Sequence, residues 1–164
     1  MSGSGSVRVC LLVGLLCGAL LWAVVLVSAP VVTANYASRD SLFTLGAAAY
    51  IVGTIVCHQQ ADRSFRLSET TFPVCARCTG LYVGAGVAAL MIFALGAVRT
   101  QRRCRWKDAR TLLIVSALPT VVSILVETLG VVDPGNLVRA FSGIPLGGAA
   151  LFVTGDVLRA GALG

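Results

Sequence analysis

Two short clusters in this chain have the residue types and spacing for chemistry. Cys57 and His58 are neighbours, and Cys75 and Cys78 follow with two residues between them. His58 is the only histidine, and the stretch from Cys57 to Gly80 carries three of the six cysteines and three of the thirteen basic residues. Two residues between thiols let both sulfurs reach one metal ion or each other. Three thiolates and one imidazole match a closed, zinc-type tetrahedral shell, so Cys57, His58, Cys75 and Cys78 are the expected ligands. Side chains on adjacent residues usually diverge, so one of Cys57 and His58 can bind the metal while the other supports it.

The competing chemistry is a membrane thiol–disulfide oxidoreductase. Cys75 and Cys78 would cycle, Cys57 would serve as exchange partner, and a quinone or partner thiol would take the electrons. His58 and the arginines Arg63, Arg66 and Arg77 would lower the thiol pKa values. Against it, the sequence has no thioredoxin-like βαβ pattern and Cys57 has no evident mate. The metal reading is therefore preferred, with zinc as the expected cofactor. Cys10 and Cys17 lie in an apolar run and read as packing residues, and Cys104 sits in a basic loop.

The elements that must hold these residues are membrane helices. The chain has 164 residues, 57% hydrophobic and 12% charged, with mean hydropathy +0.89. Soluble domains carry roughly 25% charged residues, and an apolar helix of about 20 residues crosses a bilayer. An all-α polytopic bundle of about five spans is expected, at 9–29, 41–57, 79–98, 111–132 and 137–158, forming one integral membrane domain over 1–164. The Cys/His loop 57–80 then joins spans two and three. The second run is short for a crossing. Val32-Thr33-Ala34 resembles a small-residue cleavage site, but the run before it is longer than a signal core of roughly 7–15 residues, so it is kept as a span.

Net charge is +6, yet six of the thirteen basic residues fall between Arg99 and Arg110. That block is the pattern of cytoplasmic retention, and nucleic-acid binding is not expected. The bilayer is the partner the composition names, with a homo-oligomer or another membrane protein as further candidates. Five crossings would put the N-terminus outside with the Cys/His loop, and the basic loop 99–110 in the cytoplasm. Gly84-x-Gly86-x-x-Ala89 matches a dinucleotide fingerprint only formally, since it lies inside a span. Asp156 reads as a paired or hydrated residue near the end of span five.

Alternating spans bring a second group toward the same surface. Glu127 lies near the end of span four, Asn136 and Arg139 open span five, and Arg77 stands between the paired cysteines. These four are expected ligand contacts. An ionised Glu127 would cost roughly 2.5–3.5 kcal/mol in lipid, so it should face the bundle interior. Arg139 should lie within reach of the Cys/His loop rather than merely meeting lipid headgroups.

Cys57-His58-Gln59, Arg63-Ser64-Phe65, Pro73-Val74-Cys75-Ala76-Arg77-Cys78-Thr79-Gly80 and Tyr82-Val83-Gly84 together resemble the prokaryotic membrane proteins catalogued as domain of unknown function 2085. Asn136-x-x-Arg139-x-x-x-Gly143-x-x-x-Gly147 resembles that family's second signature. The resemblance runs from about Gly46 to Asp156. It implies a small multi-span protein built around these two motifs, and it names no substrate.

Overall fold

The computed structural model describes residues 3–35, 41–67, 69–94 and 106–160. Arg39, residues 95–98 of the expected third span, the block from Arg99 to Arg105 with Cys104, and the side chain of Arg159 lie outside the described residues. Five α-helices are described: α1 (Gly3–Asn35), α2 (Ser41–Val56), α3 (Ala76–Ala94), α4 (Trp106–Thr128) and α5 (Gly135–Ala160). Between α2 and α3 come a 3-10 turn, Ala61–Arg63, and a two-stranded hairpin, β1 (Arg66–Leu67) against β2 (Thr70–Thr71).

The protein is a helical membrane bundle. Helices α1, α3, α4 and α5 are each long and apolar enough to cross, while α2 has 16 residues. Large apolar side chains are displayed outward, among them Val121, Ile124 and Leu125 on α4 and Phe141 on α5. A lipid-facing surface has that composition because tails are as apolar as the side chains they touch. Association must then come from close packing and polar contacts rather than from hydrophobic burial.

Small residues supply the close packing. Helices α3 and α5 run parallel, with Gly80 against the Ala140 carbonyl, Gly84 against Ile144, and Gly147 against Leu81. A Cβ at any of these three would overlap a backbone atom of the facing helix. Helix α1 lies antiparallel to both. Its early residues Leu12 and Leu16 cluster with Ala89, Ile92 and Leu151, and its later Trp22 meets Tyr82 edge-on at 6.1 Å.

That direction changes the arrangement expected for five crossings. The C-terminal part of α1, not its start, shares the bundle end where α3 begins. Helix α2 begins near α1, where Gly46 meets Val32 and Thr33, and finishes near Pro73, which Gly53 meets. Both contacts are at the Cys/His end. Leu45, Ala48, Ala49 and Val52 share a cavity with Gly18, Leu21, Trp22 and Val25. Helix α2 therefore lies against α1 as far as its middle while beginning and ending toward the Cys/His end. Sixteen residues span only about 24 Å at 1.5 Å each, short of the roughly 30 Å hydrocarbon core.

The α4–α5 connection is tight. Gly130 at φ 66° ends α4, with Val131 N–H donating to the Val126 carbonyl at 3.2 Å and Gly130 N–H to that of Glu127 at 3.1 Å. This is the Schellman pattern, which needs a left-handed residue at its centre. The Asp133 carboxylate accepts from Gly135 N–H at 3.0 Å and so caps the start of α5.

Candidate functional site

Cys57 directly follows α2, Cys75 directly precedes α3, and Cys78 lies on the first turn of α3. Their three sulfurs lie within 4.8 Å of one another, and this group could hold a metal ion. Each cysteine is half-buried, and none of the three is in a disulfide. Cys75 N–H donates to Cys57 Sγ at 3.3 Å, so the backbone already turns a donor toward a sulfur that carries charge when deprotonated. The Cys75 thiol is pulled down to about 5, first because Cys78 donates to its sulfur. Burial opposes that effect, while the backbone N–H groups of Cys78 and Arg77 add to it. Those N–H groups are the free donors at the start of α3.

Gln59 holds the loop in place. It is the described non-glycine residue with positive φ, 45°, and its amide donates to the Tyr50 carbonyl at 2.9 Å and the Pro73 carbonyl at 2.7 Å. The left-handed turn lets one side chain join the end of α2 to the approach of α3. Tyr50 OH donates to the Thr71 carbonyl at 2.6 Å, and Phe65 meets Phe72 edge-on at 5.7 Å, closing the hairpin.

The second motif reaches this loop. Asn136 donates to the Ser64 carbonyl at 3.0 Å and accepts from Arg139 Nη1 at 3.0 Å. Glu127 is the hub: Arg139 donates to it at 3.0 Å, Arg63 reaches it at 3.1 Å, and Arg77 is hydrogen-bonded to it. The Arg139 side chain is 6% exposed and that of Glu127 is 12% exposed, against 41% for Arg63. Arg139 also donates to Asp133 at 2.8 Å. Arg77 extends to the carbonyl and hydroxyl of Ser123 at 3.4 and 3.3 Å. Loop, α3, α4 and α5 therefore converge on one carboxylate.

A cavity of about 330 Å³ opens between the sulfurs and this hub, with Cys57, Cys75, Cys78, Arg63, Arg77 and Arg139 on its wall. His58 also lines it but is exposed and stands outside the three-sulfur group. Cys10 and Cys17 are exposed on α1, Arg66 is exposed on β1, and Asp156 is buried toward the far end of α5. Sequence reasoning missed Gln59 and Asp133 as partners in the site. Gln59 carries a faint signal, its place beside Cys57-His58; Asp133, followed by Pro134 and Gly135, carries only a turn signal.

Residues 57–153 match the family described as "Predicted membrane protein (DUF2085)". An uncharacterized protein of Methanothermobacter thermautotrophicus is 32% identical over 93 residues, 56% of this chain and 78% of the relative. An uncharacterized protein of Methanocaldococcus jannaschii is 28% identical over 106 residues, 63% of this chain and 64% of that relative. The chain thus spans a little under two thirds of the second relative's length. No solved structure matches. The family match opens on Cys57 and encloses every residue of the sulfur group and the Glu127 hub, and the chain belongs to this membrane protein family.

Proposed function

We propose that Cys57, Cys75 and Cys78 together hold one zinc-type metal ion at the membrane surface. The observation that carries this reading is the convergence of three sulfurs within 4.8 Å. Zinc–sulfur bonds of about 2.3 Å in a tetrahedron put sulfurs about 3.8 Å apart, so little closure is needed. His58 is the neighbour of this shell rather than its fourth member, because it is exposed on the cavity wall. The shell is then three-coordinate from the protein, with its remaining position toward the cavity. Arg77 and Arg139 form the polar floor against which a ligand rests, with Glu127 and Asn136 behind them as their partners.

Elemental analysis of protein purified under reducing, chelator-free conditions tests the reading. About one metal ion per chain is expected, lost in each of Cys57→Ser, Cys75→Ser and Cys78→Ser and kept in His58→Ala. Protein without stoichiometric metal would rule it out. The thiol–disulfide reading draws on one observation of its own, the lowered Cys75 thiol beside two other sulfurs. A Cys75–Cys78 disulfide that forms and breaks reversibly in cells would favour it.

For orientation, we infer that the Cys/His loop faces outward and the basic loop 99–110 faces the cytoplasm. Lys107 and Arg110, at the start of α4, stand at the bundle end opposite the sulfurs, together with Arg8. At the sulfur end, Arg63, Arg77 and Arg139 are all engaged with Glu127. Labelling of Cys104 from outside in sealed cells by an impermeant reagent would reverse the orientation.

A further inference from the structure

We propose that the cavity between the three sulfurs and the arginines binds one oxyanion, a carboxylate or a phosphate, held by Arg63 and Arg77 and completing the metal's open position. The proposal rests on the metal reading for that last contact, while the arginine contacts stand on the cavity alone.

Three observations carry it. The first is charge. Arg63, Arg77 and Arg139 line the wall, and Glu127 is their shielded counter-charge. Asp62 and Asp133 also pair with this group, but their side chains are 78% and 77% exposed and largely screened by water. A divalent ion held by three thiolates carries one net negative charge. Three guanidinium groups against that charge and Glu127 leave one positive charge over, which one monoanion neutralises.

The second is an unused donor. Arg77 Nε is buried without an acceptor among the described residues, although Arg77 Nη2 is fully engaged with Ser123 and Glu127. A buried donor left unpaired costs roughly 1–3 kcal/mol. Arg77 lines the cavity with its side chain 17% exposed, so a small turn of its guanidinium brings Nε to an oxyanion at the wall and replaces that cost with a charge-assisted bond. Arg63 offers the second contact, because its side chain is 41% exposed and its ion pairs with Glu127, at 3.1 Å, and Asp62, at 3.9 Å, run through Nε.

The third is size and access. A volume of about 330 Å³ lies at the small end of ligand sites, which run from roughly 300 to 1,000 Å³. The wall also carries Gln60 and His58, both exposed, so the entrance is polar and wet. That suits a hydrated headgroup or a small acid and excludes an acyl chain. The anion's source is either a free metabolite-sized acid or the phosphate of a lipid headgroup at the same surface.

The test uses the full chain in maltoside micelles, which contain no phosphate, with cobalt(II) loaded as the spectroscopic metal. Titration with inorganic phosphate and, separately, acetate should shift the cobalt–thiolate absorption bands saturably. The expected dissociation constant is below about 1 mM, weakened about tenfold or more in Arg63→Gln with cobalt stoichiometry unchanged. Sodium chloride at equal ionic strength should leave the bands where they are. If phosphatidylglycerol in the micelle produces the shift and blocks that from phosphate, the headgroup is the ligand; if free anions alone act, it is a soluble acid.

Bands unmoved by phosphate, acetate and phosphatidylglycerol, with cobalt bound, would overturn the proposal, as would equal shifts with chloride. Failure to retain cobalt would instead count against the metal reading. Equilibrium dialysis of radiolabelled phosphate with metal-free protein then decides the cavity separately. Saturable binding weakened in Arg63→Gln upholds the arginine site, and no saturable binding refutes it.

Discussion

At the scale of single residues, Glu127 carries more of this structure than its position near a helix end suggests. Removing its charge leaves Arg139, 6% exposed, and Arg77, 17% exposed, without their shared counter-charge. Glu127→Gln should therefore cost about 3–5 kcal/mol, the usual result of breaking one side of a buried pair, seen as a large fall in the thermal midpoint in detergent. Asp133→Asn, on a 77% exposed partner, should cost under about 1 kcal/mol in the same assay. Gln59→Ala removes two donors from the Tyr50 and Pro73 carbonyls. It should cost about 2–3 kcal/mol and release metal at lower chelator concentration. In reduced, metal-free protein, the thiolate of Cys75 grows in as pH rises through about 5. Its alkylation by iodoacetamide, followed by mass spectrometry, should be nearly flat between about pH 6 and 8, where an ordinary thiol near 8.5 still climbs steeply. The Cys75–Cys78 pair was legible from spacing, because Cys-x-x-Cys limits where its sulfurs can go; that Cys57 rather than His58 joins them was not. The Gln59 turn was not, since a left-handed glutamine is set by two carbonyls that meet only after folding.

At the scale of elements, the parallel contact of α3 with α5 governs how the halves of the site meet. Gly147→Ala should disrupt it, because a Cβ there overlaps the Leu81 carbonyl and backbone cannot rotate aside. Gly14→Ala has nothing within 4 Å of its Cβ. It should be neutral or stabilise by up to about 1 kcal/mol, since alanine is the better helix former. Thermal unfolding of the two variants side by side separates close approach from helix propensity. The small-xxx-small pattern in the sequence announced these faces but not their partners or direction. The meeting of the loop with α4 and α5 was legible, because it depends only on α3 and α4 both crossing. The length of α2 was the weak point: sixteen residues fit either a strained crossing or a helix that begins and ends toward one side of the bundle, and only contacts with α1 and with Pro73 bear on the choice.

At the scale of the whole molecule, the direction of α1 has a topological result. With α1 antiparallel to α3 and α5, the start of α1 and the finish of α5 share one end of the bundle. Reporter domains fused at either end should therefore report the same compartment, and opposite compartments would contradict the fold. Pairing between Glu127 on α4 and Arg139 on α5 also bears on biogenesis. Alone, either charge resists transfer into hydrocarbon by up to roughly 2.5–3.5 kcal/mol on insertion scales, and each helix would hesitate at the translocon. The turn between Gly130 and Gly135 is short enough for the two to neutralise each other before lipid surrounds them. Helices α4 and α5 are thus expected to enter the bilayer as one hairpin, and a ribosome stalled between them would leave α4 waiting for its counter-ion.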